Sequence, residues 1–122
     1  MAQGQSVIYS ADFNSGIPTG WTQSTQATDG GFLGGSASTL SSSYFTITDP
    51  GSNFVATNDD ACNCNKADEY LITDTIDLSN YSVMHATFKS FYYGATYSGA
   101  TEVAEFLYTT DGGTNWTSLA TI

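Results

Sequence analysis

The stretch EYLITDTIDLS, residues 69–79, has one of the two clearest strand patterns in this chain. It is rich in β-branched and aromatic residues, which is typical of a sheet rather than a helix. A second run of the same character, SVMHATFKSFYYG at residues 82–94, follows after a short break. We therefore expect both stretches to be strands of an all-β fold.

Shorter runs of this kind lie on both sides of the pair. In the first of them, Val7, Tyr9, Ala11 and Phe13 alternate onto one face. The Gly/Ser/Thr-rich residues 22–43 indicate a long loop. Strands at this spacing predict an antiparallel jelly-roll β-sandwich. The predicted strands are SVIYSADF (6–13), YFTITD (44–49), SNFVAT (52–57), EVAEFLYTT (102–110) and TSLATI (117–122).

Charge is sparse and lopsided, which narrows the classes of partner. The 122 residues include 2 basic and 12 acidic side chains, for a net charge of −10, and Arg is absent. Nucleic-acid binding needs Lys and Arg against the phosphates, so this class is excluded. An anionic membrane surface is disfavoured for the same reason. An acidic chain attracts cations instead, and Ca²⁺ is the candidate outside the cell.

Catalytic constellations are hard to build from these residues. His85 is the only histidine, so a Ser-His-Asp triad would depend on it. Glu102 and Glu105 are three apart in a predicted strand and point to opposite faces, which does not suit a glycosidase pair. We predict that the chain is not an enzyme.

The segment TTDGGTNW, residues 109–116, fits the S/T-x-D-x-G-x-x-W pattern of an Asp-box hairpin. In sialidases this motif accompanies substrate-binding Arg residues, and this chain has one copy and no Arg. We interpret it as structural, with Asp111 bonding backbone amides and Gly112 and Gly113 accepting positive φ.

Aromatic residues gather in FYYGATY, residues 91–97. Phe88 and Tyr92 share one parity and are predicted to face the core. Tyr93 and Tyr97 are then candidate ligand-binding residues, because exposed Tyr rings stack on sugars.

Both cysteines lie in NDDACNCNKADEY, residues 58–70. A zinc site needs further Cys or His, and only His85 remains, so a tetrahedral set of these ligands is not available. Three interpretations stay open for Cys62 and Cys64: a local disulfide, two free thiols, or cross-links to another chain. We favour the local disulfide in an exported protein, although its loop is too short to add much stability.

Five segments in order resemble the cleaved-adhesin and choice-of-anchor-J family, and the first is also similar to the opening of the MAM domain. The resemblance spans residues 7–119. It implies a jelly-roll β-sandwich, often with bound calcium, in an exported module that adheres to host proteins or glycans or acts as a spacer. The segments are DFNSGIPTGWTQ, SNFVATND, DEYLITDTIDLS, HATFKSFYYG and LYTTDGGTNWTSL.

Family members continue past the GGT-x-W hairpin with further strands, whereas this sequence stops at Ile122. We therefore expect a jelly roll lacking its C-terminal strands, whose unpaired edges invite a second chain or segment. Residues 1–6 are expected to be a leader or expression remnant, and residues 7–122 a single domain.

The loop at 58–70 is also dense in the oxygen ligands that calcium takes. Asp59 and Asp60 side by side would repel each other, and a cation would relieve that. The resemblance places an acidic residue near the metal at the end of the first strand, which is Asp12 here. The predicted metal ligands are Asp12, Asn58, Asp59, Asp60 and Asp68, with Asn63 and Asn65 as further oxygens of the loop.

Together these features predict a non-catalytic, exported adhesion or accessory module of a bacterial surface or secreted protein, stabilised by calcium. It would act outside the cell or at the cell surface and bind a host or cell-surface protein or glycan. The alternative is a carbohydrate-binding module of a secreted glycoside-active enzyme. A hydrolase fragment is disfavoured by the single His and the absence of Arg.

Overall fold

The computed structural model describes residues 5–122, and of Tyr97 it describes the backbone but not the side chain. Most of the expected leader at 1–6 therefore lies outside the described residues. The chain divides into two compact units, one ending at Ile76 and one spanning Asp77–Ile122. Each unit has its own pairs of strands.

Two antiparallel strand pairs form the first unit. β1 (Thr22–Ser24) pairs with β4 (Tyr70–Ile72), and β2 (Leu33–Gly35) pairs with β3 (Phe54–Ala56). Within β1, the side-chain amide of Gln23 both donates to the Phe32 carbonyl (3.0 Å) and accepts from the Phe32 N–H (2.7 Å). A side-chain amide thus takes the place of a backbone partner.

The small core of the first unit lies at two short helices. α1 (Ala37–Leu40) supplies Ala37 and Leu40, the two buried apolar side chains among the described residues. Asn58 precedes α2 (Asp59–Cys62), and its Nδ2 donates to the Leu40 carbonyl at 3.0 Å. A cavity of about 40 Å³ remains among β2, β3 and the two helices. The hydrogen bond from Asn58 to Leu40 places the start of the cysteine loop directly against the core.

The second unit begins with a tight hairpin. β5 (Thr96–Tyr97) pairs with β6 (Ala100–Thr101) through the two residues Ser98 and Gly99, which have φ of 52° and 85°. Positive φ at both central positions is the conformation that two-residue hairpin turns favour.

A longer hairpin completes the second unit. β7 (Glu105–Tyr108) pairs with β8 (Thr117–Thr121), and the register shifts between Phe106 and Leu107. Phe88 packs against Phe106 with ring centroids 5.0 Å apart. None of the side chains described in this unit is fully buried.

The regular elements of the described residues are mostly strands in small antiparallel sheets, with two short helices, which agrees with an all-β class. The strand predictions are confirmed within SNFVAT, EYLITDTIDLS, EVAEFLYTT and TSLATI, each over a shorter span than expected. No helix within residues 5–122 has the length and apolar content that a membrane crossing requires.

Three strand predictions are wrong. Residues 82–94, 6–13 and 44–49 contain no strand. Alternation favours a strand only where a neighbouring strand takes up the backbone hydrogen bonds, and none pairs with these segments in the described chain. Phe88, which is predicted to face the core, is 53% exposed, and Val7 of the alternating first run is 82% exposed.

The loop prediction for residues 22–43 is also wrong. This segment contains β1, β2 and α1. Gly is depleted in strands, and β1 and β2 are only three residues long, so composition gave no indication of them.

Candidate functional site at the cysteine loop

The loop at 58–70 begins with a capped helix. Asn58 Oδ1 accepts from the Ala61 N–H at 3.3 Å, which is the usual hydrogen bond of an N-cap. Asp59 and Asp60 then occupy the first turn of α2 and are exposed. Free N–H groups at a helix start favour negative charge, so local structure relieves some of the repulsion expected between the two carboxylates.

The two cysteines follow at the end of α2. Cys62 and Cys64 are joined by a disulfide, with their Cα atoms 5.2 Å apart. Asn63 between them has φ of 50°, a left-handed conformation that Asn tolerates better than most residues. The chain therefore turns sharply enough to bring both sulfurs to one side, which is the local pairing we favour from the sequence.

Lys66 is the centre of the loop's electrostatics. Its Nζ lies 2.7 Å from both carboxylate oxygens of Asp29 and donates to the Gly31 carbonyl, also at 2.7 Å. The side chains of Lys66 and Asp29 are only 7% and 21% exposed. The hydrogen bond from Lys66 holds the pKa of the Asp29 carboxyl below its usual value. Removing one partner of an ion pair with this little exposure is costly, because the other charge is left buried and unpaired.

Two glycines shape the turn that presents Asp29. Gly30 and Gly31 have φ of 97° and 87°, and the Gly31 N–H donates to Asp29 Oδ1 at 3.2 Å. A Cβ on Gly31 would lie 2.6 Å from Glu69 Oε2 and 2.8 Å from Thr25 Cβ. Gly31 is thus required twice, for its backbone conformation and for the space that Glu69 occupies.

Glu69 closes the site on the side of β1. Its Oε1 accepts from Thr25 Oγ1 at 2.9 Å and from the Gln26 N–H at 3.4 Å. Its Oε2 is buried and has no hydrogen-bond partner among the described residues. The loop is therefore attached to residues 25–31 by two carboxylates, one paired with a cation and one with a hydroxyl.

The five predicted calcium ligands do not converge in this arrangement. Asp12 forms a local turn with the Asn14 N–H at 3.0 Å, and the Asn58 amide is engaged by Ala61 and Leu40. Asp59, Asp60 and Asp68 are exposed. Within residues 5–122, no three of these carboxylates bring ligand atoms within 4.8 Å of one another. These residues as placed do not fit a calcium site.

A different group of ligand atoms does converge. A carboxylate oxygen of Asp29 and the sulfurs of Cys62 and Cys64 lie within 4.8 Å of one another. Sequence reasoning missed Asp29 because it lies in the segment interpreted as a loop. Two signals were available: Asp-Gly-Gly is a turn sequence, and a lysine inside an acidic loop needs a carboxylate partner.

The Asp-box turn forms as predicted and is local. Asp111 Oδ1 accepts from Thr109 Oγ1 (2.8 Å) and from the Asn115 N–H (2.9 Å), and Oδ2 accepts from Asn115 Nδ2 (2.6 Å). These hydrogen bonds, led by the one from the Asn115 backbone, lower the pKa of Asp111 to about 2. Both carboxylate oxygens of Asp111 accept hydrogen bonds from residues of the same turn, which supports a structural interpretation of the motif.

The aromatic candidates divide by exposure. Tyr93 is 65% exposed, as predicted for an outward residue, while the side chain of Tyr97 lies outside the described part of the structure. Tyr92 is half-buried. Burial raises the pKa of its hydroxyl, and the negative charge of Glu102 adds to this effect. The Tyr93 side chain is therefore more accessible from solvent than that of Tyr92.

Comparisons with protein families, with curated proteins and with solved structures found no match to this chain.

Proposed function

We propose that this chain is a non-catalytic, exported adhesion or accessory module of a bacterial surface or secreted protein, organised as a jelly-roll sandwich. The four antiparallel strand pairs are of the kind from which such a sandwich is built. The order of family-like segments in the sequence supports the same assignment. The single observation that carries the proposal is the exposed apolar surface of the second unit.

This surface, called the unit 2 apolar surface, consists of large side chains that a small unit normally covers. Val83, Val103 and Leu119 are among its most exposed aliphatic members, at 73%, 66% and 59%. Large contiguous apolar patches mark interaction sites on soluble proteins, and we infer that these side chains form such a patch. The full set is Tyr81, Val83, Met84, Phe88, Phe91, Tyr93, Val103, Tyr108, Trp116, Leu119 and Ile122.

The chemistry of the surface favours a protein partner. Aliphatic side chains such as Val83, Val103 and Leu119 gain from apolar burial and give a sugar ring nothing to stack on. The acidic residues of this unit outnumber its one lysine, Lys89. We therefore infer a partner protein with an apolar patch and basic residues around it, since complementary charge guides encounter at an interface rim.

A carbohydrate-binding module is the second candidate, because several rings are also exposed. Tyr44 in the first unit is 86% exposed, and Phe91 and Tyr93 in the second are 67% and 65% exposed. Rings with this exposure are the platforms on which sugars stack. The two functions predict different ligands on the same chain.

An array experiment separates them. The chain is labelled and applied in parallel to an array of purified extracellular and cell-surface proteins and to a glycan array. Saturable binding on the protein array is the expected result. Binding confined to glycans would replace the proposal with the carbohydrate-binding alternative, and turnover of a bound glycan would contradict the non-catalytic assignment.

A further inference from the structure

The Asp29–Cys62–Cys64 cluster has balanced charge in its present state. Asp29 is negative, Lys66 is positive and in contact with it, and the disulfide sulfurs are neutral. Disulfide sulfur is a poor metal ligand, since cysteine binds metal as the thiolate. The oxidised loop therefore offers a divalent cation neither ligands nor net charge.

Reduction changes both properties. An external dithiol transfers two electrons and two protons to the Cys62–Cys64 bond, which breaks to give two thiols, while the dithiol closes to a cyclic disulfide. If both thiols then ionise, the cluster holds three negative groups against the single positive charge of Lys66. One divalent cation restores neutrality.

The backbone of the loop already brings the chelating groups to one side. In the disulfide-bonded chain the two cysteine Cα atoms lie 5.2 Å apart, with Cys62 at the end of α2 and Asn63 in a left-handed conformation. Asp29 is held in place by Lys66 and Gly31, whose three hydrogen bonds use three of the roughly four lone-pair positions of a carboxylate. One position stays open for a metal.

We propose that reduction of the Cys62–Cys64 disulfide turns the cysteine loop into a zinc site, with Cys62, Cys64 and Asp29 as ligands and Lys66 as the neighbouring charge. Zinc is the fitting ion because it takes thiolate and carboxylate ligands together. With three protein ligands, the fourth tetrahedral position is left to water. Each thiol releases its proton to solvent when it binds the metal. This site is distinct from the calcium prediction, whose residues it does not use.

Cobalt provides the direct test, because Co²⁺ occupies zinc sites and absorbs light when bound by thiolates. The chain is reduced with a dithiol, freed of it under anaerobic conditions and titrated with Co²⁺ and then Zn²⁺. The reduced chain is expected to show a thiolate-to-cobalt charge-transfer band at one ion per chain, lost on adding Zn²⁺. The oxidised chain is expected to show none. Tryptophan fluorescence of Trp21 and Trp116 reports whether the reduced chain keeps its fold.

Variants test the assigned ligands. Cys62→Ser with Cys64→Ser is expected to abolish the band, and Asp29→Asn to weaken zinc binding at least about tenfold. The matched control is Asp49→Asn, which removes the same charge from a similar turn where the Gly51 N–H donates to Asp49 Oδ1 at 2.8 Å. It should leave zinc affinity unchanged. A reduced wild-type chain without the band, an oxidised chain that binds equally, or an Asp29→Asn chain with full affinity would each overturn the proposal.

Discussion

Lys66 shows how one side chain determines the role of a whole loop. The sequence places it among carboxylates and amides that favour a bound cation, but its ammonium supplies the cation for Asp29. A lysine this little exposed requires a partner, because an unpaired buried charge is costly. This ion pair attaches the loop to the Asp29 turn.

We expect Lys66→Met to lower the free energy of unfolding by about 2 kcal/mol, below the range for fully buried pairs because Asp29 is partly exposed. Urea denaturation measures this. Lys89→Met is the control, since Lys89 is exposed, and should change stability little. Equal losses in the two variants would show that the Asp29 contact is unimportant.

The same pair predicts an acid dependence. The pKa of Asp29 is lowered in the folded chain, so its contribution to stability is present at neutral pH. It is lost as pH falls through that lowered pKa, when the carboxyl takes up a proton. The Lys66→Met chain should therefore lose less stability than wild type between neutral and strongly acidic pH.

Gly31→Ala is expected to cost about 3 kcal/mol, combining a positive φ with overlap against Glu69 Oε2 and Thr25. Gly30→Ala carries the same strain of φ but meets nothing within 4 Å, and should cost about 1 kcal/mol. Thermal unfolding of the two variants measures the difference. If Gly30→Ala were as harmful as Gly31→Ala, the crowding at Glu69 would have no energetic consequence.

Among the elements, the Asp-box hairpin depends on one carboxylate, that of Asp111. The pKa of Asp111 is about 2, below the ordinary value near 4, because hydrogen bonds from Asn115 and Thr109 favour the charged form. Its stabilising effect is present above about pH 4 and is lost as pH falls through about 2. NMR titration of the Asp111 carboxyl should give this low pKa, and Asn115→Ala should raise it. An ordinary value in wild type would contradict the hairpin geometry.

The calcium prediction concerns the cysteine loop as a whole and is tested by the melting temperature of the chain. The sequence predicts that Ca²⁺ raises Tm, that EDTA reverses the rise, and that Asp12→Ala or Asp60→Ala removes it. Mg²⁺ should do less because it gives up its water reluctantly. Since the structure leaves these carboxylates apart, such a result would require the Asp12 turn and α2 to rearrange around the ion. Unchanged melting with chelator would leave Lys66 as the loop's only cation.

Elements closed by local hydrogen bonds were the most predictable from the sequence, and several that depend on distant partners were not. Asp111 and its glycines encode their turn within eight residues, so the motif alone identified it. Residues 82–94 have strand composition, but no strand within residues 5–122 pairs with them, and composition cannot show that. Asp29 meets Lys66 across 37 positions, a separation that no local pattern reveals.

At the scale of the whole molecule, apolar burial is distributed unevenly. Ala37 and Leu40 are the buried apolar side chains of the described chain, and both belong to the first unit. We expect Leu40→Ala to destabilise that unit by about 2–3 kcal/mol, since it removes apolar contact beside an existing cavity. Denaturation followed by Trp21 fluorescence checks this.

The central claim is that the unit 2 apolar surface binds a partner protein. Its most direct test applies wild type, the triple variant Val83→Ser, Val103→Ser, Leu119→Ser, and the control Val7→Ser to the same array of extracellular and cell-surface proteins. Val7 lies in the first unit and is 82% exposed, so Val7→Ser makes the same kind of substitution outside the unit 2 apolar surface. Wild type and the control are expected to show saturable binding, which is weakened at least about tenfold in the triple variant. Equal binding by all three chains would contradict it.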